Sequence, residues 1–217
     1  MGPLIENGRG WATFVLPGNL KDQCDDRVRV LADDARCLAL LADGATGTGC
    51  GGLAADAFIE RLASFDGAPA DATGLHMQFD LADRDAARTG GSTTGIAIVL
   101  EKGGLVGCSV GDSVTFLIRA DESFEELTRW QRRKPRIGQS SIELEVFDPI
   151  ELSAGCRVLM VSDGVLQLGS YQSIVADALN GTPEDCLAKL VARAKARDPW
   201  VQTDDCSGIL LDCDRIG

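Results

Sequence analysis

Apolar residues in this chain come in short blocks, each closed by Gly, Asp or a change to polar residues. Seven of these blocks, at 28–31, 37–42, 93–100, 104–110, 114–119, 157–162 and 207–212, have the length and composition of strands. Gly103-Gly104 and Gly111-Asp112 separate three of them at hairpin distance, which predicts an antiparallel meander from 93 to 119. Three segments carry a helical period instead. The segment 53–65 places Leu53, Ala57, Phe58 and Leu62 on one face, and 171–179 is a shorter case. The segment 188–197 follows a Thr182-Pro183-Glu184 start, a good N-cap with Pro at the first helical position. Residues 122–141 are the least patterned and read as loop-rich. Strands gathered in the middle with helices before and after predict α+β layers rather than a βαβ repeat. With no internal repeat or linker, residues 1–217 are expected to form a single domain.

Composition narrows the function. The 217 residues hold 33 Asp and Glu against 21 Lys and Arg, a net charge of −12. That surface repels phosphate backbones, so no nucleic-acid partner is expected. No apolar run reaches the roughly 18–20 residues that span a bilayer, and MGPLIENGRG has no signal-peptide character. The expectation is a cytoplasmic protein with no membrane association. Its eight Cys show no CxxC pair and no zinc-ligand spacing, and several sit inside apolar blocks, as buried small hydrophobes do. The lone His76, in a polar stretch, excludes His-triad or multi-His chemistry and reads as a solvated side chain.

The carboxylates repeat one context, the end of an apolar block. Asp43-Gly44 follows 37–42, Asp163-Gly164 follows 157–162, and Asp112 lies between two strand blocks. Asp204-Asp205 precedes the last block and Asp25-Asp26 the first. A single Asp-Gly after a strand is an ordinary turn. Several on one edge of a sandwich would form an oxygen-rich pocket whose charges repel unless a cation neutralises them. Hard Mg²⁺ or Mn²⁺ suits such a donor set, while zinc does not.

Taken in order, KDQCDD at 21–26, LLADGATG at 40–47, ARTGGSTTGIAIV at 87–99, LVGCSVGDSVTFLI at 105–118, RIG at 136–138, LSAGCRVLMVSDGV at 152–165 and DDCSGILL at 204–211 resemble the motifs of the PPM/PP2C metal-dependent protein serine/threonine phosphatases. The short bacterial members are the most similar. The resemblance implies a four-layer α-β-β-α sandwich of two antiparallel sheets flanked by helices. It implies two Mn²⁺ or Mg²⁺ ions, with a third in some members, and hydrolysis of phospho-Ser/Thr by a water or hydroxide bridging two metals. Asp26, Asp43, Asp163 and Asp204 match metal ligands, Gly44 offers its carbonyl, and Asp43 and Asp163 act on the bridging water. Asp112 matches a third-metal position, Asp25 acts through water, and Asp205 fills the usual Asn slot. Lys21 occupies the place of an Arg that grips the substrate phosphate. A phosphorylated protein substrate, a cognate Ser/Thr kinase and a monomeric state are the implied partners and assembly. Two rivals stay open: a non-catalytic module of the same fold, and a phosphatase whose substrate is a phosphorylated anti-sigma-antagonist-like protein or a small phosphoester. The basic run RWQRRKPR at 129–136 is either a solvated loop or a recognition element for acidic phosphosubstrates.

Overall fold

A computed structural model describes residues 4–216 apart from 22, 65–71, 102, 141, 199, 201 and 202. Among the described residues, eleven strands form two antiparallel sheets. The first contains β1 (Leu4–Gly8), β2 (Trp11–Leu16), β11 (Cys206–Asp212), β10 (Arg157–Val161), β7 (Val114–Ile118) and β8 (Phe124–Glu126), in that spatial order. The second contains β3 (Arg27–Ala32), β4 (Arg36–Ala42), β5 (Gly95–Glu101), β6 (Gly104–Val110) and β9 (Glu145–Glu151). Helices α1 (Gly51–Ala63) and α2 (Ala72–Arg88) cover the second sheet. The short turn α3 (Asp163–Leu166) follows β10, and α4 (Tyr171–Leu179) and α5 (Pro183–Lys195) cover the first sheet.

The central strands are buried on both faces, which is why they read as unbroken apolar blocks rather than alternating ones. In β4, Cys37, Ala39 and Leu41 meet the opposite sheet while Leu38, Leu40 and Ala42 meet the helices. In β10, Val158 and Met160 point between the sheets, and Leu159 and Val161 toward α4 and α5. Period two thus supplies three apolar layers from one chain, and the four-layer α-β-β-α arrangement agrees with the expected fold. Thr182 and Asp185 close a capping box at the start of α5, so that helix begins at Pro183, as its start signal indicates, and ends at Lys195. No helix among the described residues is long and apolar enough to cross a membrane.

One expectation is corrected. The meander is broken: β5 and β6 pair as a hairpin, but β7 pairs with β10 in the other sheet. Gly111-Asp112-Ser113 is therefore a crossing between sheets. Its apolar flanks are equally consistent with either path, because both sheets are doubly buried. The segment 122–141 is loop-rich as expected, with only the three-residue β8 inside it, paired with β7. Strands β1, β2 and β9 and helix α2 were not singled out from the sequence. The helix expected at 53–65 spans Gly51–Ala63, and its last expected residue lies outside the described residues.

Candidate metal centre

Antiparallel register gathers the strand-end carboxylates. Arg27 pairs with Ala42, so Asp26 before β3 lies beside Asp43 after β4. Val161 pairs with Gly208, so Asp163 after β10 stands across from the residues preceding β11. Gly95 pairs with Val110, which carries Asp112 to the same end. Entries and exits of six strands thus share one edge of the sandwich.

Asp43, Asp112 and Asp163 each place a carboxylate oxygen within 4.8 Å of the other two. Asp43 is the centre of the group. Burial pushes its carboxyl up to about 10, and the charges of Asp26, Asp163, Asp204 and Asp112 add to the shift. Burial raises Asp163 as well, with Asp112 and Asp204 contributing. Asp26 is raised to about 7, again chiefly by burial. Asp26 Oδ2, Asp112 Oδ1 and Asp163 Oδ1 are buried with no hydrogen-bond partner. Two of these partnerless oxygens, on Asp112 and Asp163, belong to the trio, and buried like-charged oxygens so close together are the condition that a hard divalent cation relieves, so these residues fit one.

Backbone contacts hold the cluster. Thr94 N and Thr93 Oγ1 both donate to Asp43 O at 2.9 Å, and Asp43 N donates to Thr94 Oγ1 at 3.0 Å. Thr94 Oγ1 also bonds Ser113 Oγ at 2.8 Å, tying the Asp43 and Asp112 segments together. This is the use of the GGSTT stretch. Arg27 was not anticipated: its Nη1 donates to Cys24 O at 2.7 Å and Asp26 O at 2.9 Å, while Nε reaches Asp56 at 2.5 Å. The adjacent Asp-Asp-Arg spelling is the only trace of that clamp in the sequence.

The second group of candidates does a different job. Asp205 is 2% exposed, and both its oxygens are taken: Oδ1 by Gly18 N at 2.8 Å, Oδ2 by Asp25 N at 2.8 Å and Lys21 Nζ at 2.9 Å. Cys24 lies with Asp26 and Asp205, but burial and those two charges raise its thiol, so it stays protonated. Lys21 Nζ also lies 3.3 Å from Asp204 and 3.7 Å from Asp25. Burial alone would lower Lys21, yet Asp205 and Asp204 together outweigh it and keep the ammonium charged. Asp25 Oδ1 accepts from Gly52 N at 3.2 Å, at the start of α1. Asp204 is farther out, 42% exposed, and reaches Asp43 and Asp163 through its charge. Asp112 Oδ2 faces Arg133 Nε at 3.3 Å and Arg136 Nη2 at 3.4 Å, so two guanidiniums stand where a third cation was expected.

The glycines of the two Asp-Gly pairs are required for docking rather than for a left-handed turn. A Cβ on Gly44 would lie 2.5 Å from the Gly51 backbone and 2.7 Å from Asp25 O. A Cβ on Gly164 would collide with Asp205 O and stand 2.9 Å from Asp205 C. Each Asp-Gly pair is therefore packed against an Asp-Asp pair. Gly164→Ala is expected to cost about 2–3 kcal/mol, because the obstructing atoms are backbone and cannot swing away. Gly47→Ala, which meets nothing within 4 Å, serves as the control and should change stability by under about 1 kcal/mol. Thermal melts of the two variants beside the parent check both values.

No protein-family model matches the sequence, and no curated protein matches it either. Solved structures do match its shape. A bacterial serine phosphatase superposes with a TM-score of 0.77 at 19% identity, over 95% of this chain and 99% of that one. The PPM Ser-Thr phosphatase MsPP from Mycobacterium smegmatis, in complex with cacodylate, gives 0.75 at 23% identity, over 93% and 97%. RsbX in complex with magnesium gives 0.73 at 18% identity, over 96% and 98%. The fold is that of the bacterial PPM/PP2C phosphatases, as the motif resemblance implies.

Proposed function

We infer that the chain is a metal-dependent phosphatase acting on phosphoserine or phosphothreonine in proteins. The observation that carries this reading is the trio Asp43, Asp112 and Asp163 with its partnerless oxygens, on a fold shared with serine phosphatases. Asp26, Asp43, Asp163 and Asp204, with the carbonyl of Gly44, would hold Mn²⁺ or Mg²⁺. When bound, such ions supply Lewis-acid activation of water and offset charge on the phosphoryl oxygens.

The chain's own residues set the conditions for that chemistry. Thr93 and Thr94 hold the Asp43 backbone, which fixes the segment that carries its carboxylate. Asp205 fixes the entry to β11 and the loop that carries Lys21 and Asp25. Lys21 remains a cation at the edge of the site and serves as the phosphate-orienting group once freed from Asp204. As a point charge it orients a phosphate less sharply than an Arg fork. The kinase that supplies the phosphoprotein and the monomeric state belong to the same reading.

A non-catalytic module is favoured by one observation: Lys21 already offsets charge among Asp25, Asp204 and Asp205. Hydrolysis decides between the two. Phosphoserine-peptide and p-nitrophenyl phosphate turnover should require Mn²⁺ or Mg²⁺ and disappear with EDTA. Turnover that survives EDTA sinks the metal reading, and none on any phosphoester with Mn²⁺ present favours the module.

A further inference from the structure

Five of the chain's 21 Lys and Arg fall between Arg129 and Arg136, a stretch without a single acidic residue. In a protein of net charge −12 this is a local reversal of sign, and its position gives it meaning. Arg133 and Arg136 contact Asp112, so the loop stands at the rim of the acidic trio. It is pinned at both ends, by a side chain at one and by backbone at the other. Gln131 Nε2 donates to Ser113 O at 2.5 Å and Gln131 Oε1 accepts from Ser109 Oγ at 2.6 Å. Ile137 exchanges both backbone hydrogen bonds with Thr93 at 3.0 Å.

Held this way, the loop presents Trp130, Arg132, Arg133 and Lys134 to solvent. Trp130 is 73% exposed and Arg133 78%, so neither fills the core. The Arg129 guanidinium lies 5.4 Å from the Trp130 ring centroid, which keeps aromatic and cation together. Trp and Arg are the side chains that dominate binding hot spots. Arg132 is paired with Glu143 at 3.0 Å, but both are exposed, and an incoming carboxylate exchanges with such a pair readily.

We propose that this loop docks acidic residues flanking the phosphorylated side chain, making acidic phosphoprotein segments the preferred substrates. The proposal rests on the phosphatase reading above and names its substrate class. A fixed basic rim steers an acidic segment toward a centre that the rest of the surface would repel. An anionic bilayer carries the same sign, but every acidic residue of the chain lies outside the loop and opposes such a surface.

The test is fluorescence anisotropy on the full chain with Mn²⁺, using two labelled phosphoserine peptides, one flanked by Glu and one by Ala. The Glu-flanked peptide should bind at least about tenfold tighter at low salt, and the margin should shrink as salt is added. The double variant Arg132→Glu/Lys134→Glu should bring the ratio to one or below, and Trp130→Ala should weaken the Glu-flanked peptide several-fold. Melts confirm that these exposed substitutions leave the fold intact. Equal binding of both peptides by the parent, or discrimination retained in the double variant, overturns the proposal. Retention of phosphatidylserine vesicles without peptide discrimination overturns it in favour of a membrane. Turnover of the same peptides separates the two levels. Discrimination without Mn²⁺-dependent hydrolysis defeats the phosphatase reading alone, and hydrolysis without discrimination defeats the docking proposal alone.

Discussion

Asp43→Asn is expected to abolish turnover while making the metal-free protein harder to unfold. The two effects have one origin. Asp43 feels burial and the charges of Asp26, Asp163, Asp204 and Asp112 together. Two unit charges at the 4.8 Å limit that encloses the trio repel by about 3.5 kcal/mol at an effective dielectric of 20. Partial protonation relieves much of this, so an amide of the same shape should return about 1–2 kcal/mol. For a chain of this length that is a rise of about 3–6 °C in the metal-free melting temperature. The backbone clamp from Thr93 and Thr94 does not depend on the carboxylate and survives the change.

Activity should move the other way. Residues that merely orient a metal ligand cost about 10–100-fold when removed, so loss of a ligand central to the cluster should exceed about 100-fold. The measurement is a pair: a melt in EDTA and kcat/KM with Mn²⁺. A variant that loses activity and also melts lower would show that Asp43 serves the fold, and one that keeps activity would remove it from the centre.

How much of this could be read in advance follows from which physical signals are local. Doubly buried strands such as β4 and β10 announce themselves as apolar blocks, and the Asp at each exit is visible in the same few residues. Strand β1 carries Glu6 and Asn7, and β9 carries Glu145 and Glu151, so neither forms such a block. The path after Asp112 was misread because Gly111-Asp112 suits a hairpin as well as a crossing, and only pairing with β10 decides. Helix α2 is polar over most of its length and is held by one face, Leu75, Phe79, Ala82 and Ala86. Within the site, the acids were legible and their division of labour was not. Asp205 reads like Asp204, yet it is saturated by Gly18, Asp25 and Lys21, whereas Asp163 keeps a partnerless oxygen. That difference arises from chain segments far apart in sequence, beyond the reach of any local pattern.

Metal removal should reverse the pH dependence of stability. In the metal-free protein, Asp43 and Asp26 are raised from the ordinary carboxylate range to about 10 and about 7. The folded state therefore holds protons that the unfolded chain releases near pH 4. Stability from these groups is fully present below that pH and is lost as pH rises through the folded values. The melting temperature in EDTA should accordingly fall between about pH 5 and about pH 8. Divalent ions bind the deprotonated carboxylates, so their stabilisation must grow over the same interval. At a free Mn²⁺ concentration of about 100 times Kd, each site adds about 2.7 kcal/mol, or roughly 5–10 °C for a chain of this length. The gap between the Mn²⁺ and EDTA curves should thus widen toward high pH and close toward low pH. Asp163→Asn, which removes the charge from a carboxylate whose Oδ1 has no partner, should narrow the gap at every pH without steepening the EDTA curve. Parallel curves at all pH values, or a gap that Asp163→Asn leaves untouched, would place cation binding away from these carboxylates.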